Sequence, residues 1–456
     1  MSNERKETVI LGTLVHTPVR GELEVIHDAL VSVSANGEIV KIDKNGSTTY
    51  EQSLVAARED PQLTTLKDGQ YLLPGLVDLH IHAPQWPQLG KALDLPLYDW
   101  LQQCTFPLEA KYADLEFARP NYSSLVDNLI ANGTTTATYF GTVHLEATKL
   151  LADICLAKGQ RAVVGRVAMD NADECPDFYR DPTSTVALDE TRAFIDYVRG
   201  LNGNSANRVM PAVTPRFIPS CTDALLKGLG KIAHEYDCHI QTHCSESDWE
   251  HNYVLDRHGV NDTQSLDQFG LLTDKTILAH ANLISDGDMS TIKHADCGIA
   301  HCPLSNIYFS NAVFPARRAL DFGLNVGLGT DISGGPKADI LSNCLGAVNA
   351  SRSLEEGVDP MLAGSERGTA DSRVSYLDAF WMATVGGAKS LGLKVGQLSL
   401  GYSFDAIVVD TTVADSNLMV WPDLDSDADI LQKIVYNGGR NNIEKVWVQG
   451  RLLKGQ

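Results

Sequence analysis

Leu76-Val77-Asp78-Leu79-His80-Ile81-His82 is an apolar run that ends in two histidines spaced i, i+2. Side chains alternate faces along a β-strand, so His80 and His82 point the same way. Two imidazoles side by side at a strand end can chelate one metal ion. The pair gains its weight from residues further along the chain: His243 with Glu246, then His280, then Asp331, each just after a short apolar run.

Those runs set the fold. Eight stretches of strand length, at 75–82, 134–140, 161–168, 209–214, 240–243, 276–280, 298–301 and 326–330, alternate with helical patterns. Glycine closes several of the helices: Gly133 after 122–132, Gly159 after 145–158 and Gly323 after 314–322. Strand–helix alternation over about 330 residues makes a parallel sheet, and eight units close into an α/β (β/α)8 TIM-type barrel. An open doubly wound sheet is the alternative, but it explains no ligand placement. In a barrel, His82, His243, His280 and Asp331 meet at the one mouth where strand C-terminal ends converge.

Both ends of the chain have a different rhythm. Residues 8–11, 29–33 and 39–42 read as strands, the last two flanking the hairpin signal Asn36-Gly37. Residues 406–409, 445–448 and 451–453 read likewise, the last two flanking Gln449-Gly450. Residues 1–73 and 404–456 are therefore expected to build one small β domain, around a catalytic barrel of residues 74–403.

Composition narrows the partners. The chain has 456 residues, 43% of them apolar, without low-complexity bias, as a globular protein does. A net charge of −21 repels phosphate backbones and anionic lipid, which argues against nucleic-acid polymers and membranes and leaves a small neutral base open. Nine scattered cysteines, without a Cys-x-x-Cys pair, fit free thiols in a reducing compartment, so the cytoplasm is the expected location. The polar start Met1-Ser2-Asn3-Glu4-Arg5-Lys6 leads into no signal-like core, and no apolar run is long enough to span a bilayer.

A catalytic metal needs a few fixed protein ligands and an open position for water. Here His80, His82 and His243 are the nitrogen ligands and Asp331, after Val326-Gly327-Leu328-Gly329-Thr330, the oxygen ligand. A metal lowers the pKa of bound water from about 16 to about 7. Glu246, three residues after His243, is placed to move a proton between that water and a substrate ring nitrogen, work worth roughly 10²–10⁴ in rate. His280 is placed to orient the nucleophile. Alone, each would read as a core histidine or a solvated glutamate; in this order the set reads as a metal-dependent hydrolase. Two-metal relatives of this architecture usually bridge their ions with a modified lysine near the fourth strand. Val209-Met210-Pro211-Ala212-Val213-Thr214-Pro215 has no lysine, which favours a single ion.

Pro74-Gly75-Leu76-Val77-Asp78 before His-x-His, Thr242-His243-Cys244-Ser245-Glu246, Ala300-His301-Cys302-Pro303 with Ser305-Asn306, and Gly329-Thr330-Asp331 resemble the amidohydrolase superfamily, in its purine and triazine deaminase branch. Further runs resemble the guanine-deaminase family within it. These are His80-Ile81-His82-Ala83-Pro84-Gln85, Leu95-Pro96-Leu97-Tyr98-Asp99-Trp100-Leu101 with Thr105-Phe106-Pro107, Asn132-Gly133-Thr134-Thr135-Thr136-Ala137, and Val213-Thr214-Pro215-Arg216-Phe217.

That resemblance implies one zinc ion per chain, a β-sandwich built from both termini, a homodimer, and hydrolysis of guanine to xanthine and ammonia. It makes Glu246, His280 and Asp331 the catalytic residues. It places substrate contacts on His82, Ala83, Pro84, Gln85, Arg216, Phe217, His243, Glu246 and Asp331. Gln85 and Arg216 would hydrogen-bond guanine O6 and the neighbouring ring edge, and Phe217 would line the pocket or stack on the base. A deaminase or dechlorinase of another heterocycle (pterin, triazine or adenosine-type) is the alternative, and Arg216-Phe217 argues against it. A non-catalytic scaffold is a third reading, opposed by the intact ligand set. Trp86, with Pro84 and Pro87 on either side, departs from the pattern of the family's animal members and bears on the shape of the pocket wall.

Overall fold

In the computed structural model, which describes residues 7–310 and 312–455, the apolar runs form two eight-stranded sheets. Met1–Lys6 and Gln456 lie outside the described residues. Five strands come first: β1 (Thr8–His16), β2 (Glu24–Val33), β3 (Ile39–Asp43), β4 (Leu63–Thr65) and β5 (Gln70–Pro74). Eight follow: β6 (Leu76–His82), β7 (Thr134–Phe140), β8 (Arg161–Ala168), β9 (Val209–Pro215), β10 (His239–Cys244), β11 (Thr276–His280), β12 (Gly298–His301) and β13 (Asn325–Leu328). The last are β14 (Ala406–Asp410), β15 (Ile443–Val448) and β16 (Arg451–Lys454).

Strands β6 to β13 lie side by side in chain order, and every pair is parallel. Each residue of β6, β7 and β8 is buried, because helices cover the outside and side chains fill the inside. The sheet is a barrel, not an open doubly wound array. Its seam lies between β13 and β6, where Asp331 N donates to His80 O at 2.8 Å and His82 N to Ile332 O at 2.9 Å. Asp78, wholly buried on β6, reinforces the seam by accepting from Thr330 N (3.0 Å) and Thr330 Oγ1 (2.6 Å).

Strands from both ends of the chain share the other sheet, in the order β16-β15-β14-β5-β1-β2-β3, with β4 beside β1. Both sequence-predicted hairpins form, β2–β3 and β15–β16. Strand β5 runs into β6 through Gly75, where a Cβ would meet Thr135 Oγ1 at 2.2 Å. The histidine strand is thus a continuation of the terminal sheet.

Helix boundaries differ in places. The helix Leu145–Lys158 ends at Gly159, φ +87, as the sequence predicts. The helix predicted over 122–132 spans Leu115–Ala131 instead. Asp114 caps it by accepting from Glu116 N, and buried Ala118, Tyr122 and Leu125 hold it helical through Pro120. Packing there overrides a local stop signal. The helix predicted over 314–322 begins at Ala316, with Pro315 as its cap.

A buried ion pair locks the two sheets together. Arg161 of β8 gives Nε to Asp405 Oδ2 at 2.9 Å and Nη2 to Oδ1 at 3.1 Å. Asp405 also accepts from Gln449 N at 2.8 Å. Asp405→Ala strands a buried guanidinium and is expected to cost about 3–5 kcal/mol. A denaturant midpoint equal to that of the unchanged protein would remove this pair as the lock.

Candidate active site

The strand ends deliver the donors to one place. His80 and His82 end β6, His243 lies on β10, His280 ends β11, and Asp331 follows β13. Ring centroids of His80 and His82 are 4.9 Å apart, of His80 and His243 4.9 Å, and of His82 and His243 5.0 Å. Asp331 Oδ1 stands 3.2 Å from His80 Nε2 and 3.5 Å from His82 Nε2. Glu246 Oε1 is 3.7 Å from His280 Nε2. Ligand atoms of His80, His82 and His243 all lie within 4.8 Å of one another, as do those of His80, His280 and Asp331, and those of His243, Glu246 and His280.

This arrangement fits a cation. His243 Nδ1 donates to the Arg216 carbonyl, which leaves a lone pair on its Nε2. That lone pair faces His82 Nε2 at 3.0 Å. His280 Nδ1 faces Asn306 Oδ1 at 2.9 Å, so its Nε2 also turns inward. His80 Nε2, His82 Nδ1 and His280 Nε2 are buried without a hydrogen-bond partner. Burial pushes His80, His82 and His243 well below the usual imidazole range, and each is pushed further by neighbouring histidines and Arg216. Neutral imidazoles converging on one point are metal ligands in waiting.

The local backbone is strained to aim them. His280 has φ +71 and Asp331 φ +48, left-handed values that non-glycine residues adopt at a cost of order 1–3 kcal/mol. Neighbouring amides hold the arrangement. Asn306 Nδ2 donates to Asn282 Oδ1 at 2.7 Å, and Asn282 Nδ2 to the Glu246 carbonyl at 2.9 Å. Glu246 N donates to Glu250 Oε2 at 2.7 Å. The Glu246 backbone is therefore pinned at both ends while its carboxyl faces the cavity. Burial, then the Asp331 carboxylate, push Glu246 well above the ordinary carboxylic-acid range.

A cavity opens onto this cluster. Of the sequence-predicted site residues, His82, Gln85, Arg216, Phe217, His243, Glu246 and Asp331 line it. His80 and His280 are fully buried behind them. Ala83 and Pro84, expected to touch substrate, are instead buried in the turn Ala83–Gln88 and do not line the cavity; that turn directs Gln85 inward. Leu97, Trp100, Leu101 and Phe309 supply an apolar wall that sequence reasoning missed. Trp86 points away, its Nε1 donating to Ser124 Oγ at 3.2 Å.

Sequence reasoning also missed Glu109. Its carboxylate, wholly buried, accepts from Arg216 Nη1 at 2.7 Å and Nη2 at 3.2 Å, and from Gln85 Nε2 at 2.9 Å. Burial opposes the Arg216 charge, and Glu109 more than offsets it, so the guanidinium is held above its ordinary value. The only signal in the sequence was position, two residues after Thr105-Phe106-Pro107.

Residues 71–453 match the model of the Amidohydrolase family. The chain belongs to that family. Among its amidohydrolase relatives, a probable guanine deaminase of Schizosaccharomyces pombe is 38% identical, over 98% of this chain and 83% of its own length. A guanine deaminase of Dictyostelium discoideum is 34% identical, over 97% of each chain. The crystal structure of guanine deaminase from C. acetobutylicum with bound guanine in the active site superposes with a TM-score of 0.87. It is 32% identical and covers 98% of this chain and 100% of its own.

Proposed function

We propose that this chain hydrolyses guanine to xanthine and ammonia, using one zinc ion held by His80, His82, His243 and Asp331. One observation carries the reading. A single cavity joins two carbonyl-reading donors, Gln85 and Arg216, to the donor cluster, with Glu246 beside that cluster. Full-length relatives named as guanine deaminases support the substrate.

A metal ion bound by this donor set supplies water acidified to about neutral pH. The chain's own residues do the rest. Gln85 and Arg216 bind the O6 edge, Phe217 covers a face of the base, and the apolar wall excludes bulk water. Water adds to C2. Glu246 takes one of its protons and gives it to N3. Asp331 and His280 hold the nucleophile and take the second proton. That proton reaches the amino group, the C2–N bond breaks, and ammonia leaves as the C2 carbonyl forms. Asn306 and Asn282 keep His280 and Glu246 in register throughout.

The same reading includes a homodimer and a cytoplasmic location. All nine cysteines are free thiols, as a reducing compartment would leave them. No helix among the described residues is long and apolar enough to cross a membrane. It further divides the chain into a composite β-sandwich of 1–73 and 404–456 and a barrel of 74–403.

Ammonia release from guanine by the purified protein, before and after chelation, tests the proposal. Equal xanthine and ammonia, lost on chelation and restored by zinc, is the expected result. A protein with one metal per chain that releases no ammonia would overturn guanine as the substrate.

A further inference from the structure

Behind the lining of the cavity, Glu109 touches both residues that would read the base. Its hydrogen bonds fix more than position. A carboxylate only accepts and a backbone N–H only donates. Gln85 is gripped by one of each: Nε2 donates to Glu109 Oε1 at 2.9 Å, and Oε1 accepts from Ser333 N at 3.0 Å. The amide of Gln85 therefore has one possible orientation, and the hydrogen it keeps in reserve is a donor.

Arg216 is held in the same way. Glu109 takes Nη1 and Nη2 together, a bidentate pair with both side chains 3% exposed or less. The ring of Phe106 lies under the guanidinium, 5.0 Å from Cζ to centroid. Arg216 keeps outward-facing N–H groups, but its charge is cancelled from behind.

We infer that Glu109 is the positioning residue that sets the polarity of the base-reading floor. It commits the Gln85 amide nitrogen and the Arg216 guanidinium to donating, which suits a ring carbonyl and disfavours an amino group at that edge. It also removes net positive charge from the floor, so the neutral base is bound while its more acidic dioxo product is not retained as an anion. This rests on the guanine reading above.

The test compares the unchanged protein, Glu109→Gln and Glu109→Asp, each loaded with one zinc ion. Guanine and 2-aminopurine, which keeps the reacting amino group but lacks O6, are the substrates, and xanthine is the inhibitor. In Glu109→Gln the kcat/KM preference for guanine over 2-aminopurine is expected to fall by roughly 10-fold or more, mostly through KM for guanine. Xanthine inhibition should tighten as pH rises through its ionisation, a trend the unchanged protein lacks. Glu109→Asp keeps the charge, so it should restore the flat xanthine profile while recovering only part of the preference. A merely structural role would lower activity on both substrates alike and leave the xanthine profile flat, and that result overturns the inference. If Glu109→Gln does not retain metal, Glu109→Asp decides alone: an unchanged preference for guanine overturns it. Failure of the unchanged protein to deaminate guanine overturns the parent reading and this one together, whereas normal guanine turnover with an unchanged preference overturns this one only.

Discussion

Glu246→Gln is expected to keep its metal and lose turnover by roughly 10²–10⁴ in kcat, with KM for guanine within a few-fold of the unchanged protein. The amide has the size of the acid and keeps its hydrogen-bonding reach, so the cavity should hold its shape. The Glu246 backbone is anchored independently by Glu250 and Asn282, and neither contact uses the carboxyl. What the amide lacks is a proton that can leave and return. Burial and the nearby Asp331 raise the affinity of this carboxyl for a proton, which suits it to take one from water and pass it to the ring nitrogen. Metal analysis and steady-state rates on the same preparation check this. Full kcat would end the shuttle role. Loss of metal would instead make Glu246 a ligand, an outcome the proximity of His243, Glu246 and His280 makes worth measuring.

His243→Ala should have the other large effect, loss of the metal itself and of all detectable ammonia release. The substitution deletes the Nε2 that faces His82 at 3.0 Å and breaks the trio with His80. Changing a residue that merely orients a ligand commonly costs 10–100-fold in metal affinity, about 1.4–2.7 kcal/mol, and deleting a ligand costs more. Zinc at levels that saturate the unchanged protein should not restore activity. One metal per chain with normal turnover would strike His243 from the ligand set.

Much of this architecture is legible in the chain before any folding is known. Strands such as Thr134–Phe140 and Arg161–Ala168 are buried on both faces, so apart from Arg161 and Arg166 their sequences are apolar or small-residue runs of strand length. Once eight such runs are counted, the topology fixes which ends meet, and His82, His243 and Asp331 come to line one cavity. Glu109 was not legible for the opposite reason. It is one of 58 acidic residues, and its meaning arises from Arg216, 107 positions away. The short helical turns over 97–113 that carry it have no period that reports a partner. Ala83 and Pro84 sit in the same turn as Gln85, and of the three it is Gln85 that lines the cavity.

The seam between the first and last barrel strands has a consequence for how the protein stands up at all. Asp78 and Thr330 are 252 positions apart, so joining them is the longest-range and entropically dearest closure in the ring. His80, His82 and Asp331 straddle that joint. A cation gripped by both sides acts as the clasp of a hoop: it binds only when the staves are drawn together, and each tenfold excess over its dissociation constant tightens the hoop by about 1.4 kcal/mol. Chemistry and mechanical integrity then depend on the same few atoms, and wear at one is felt at once in the other.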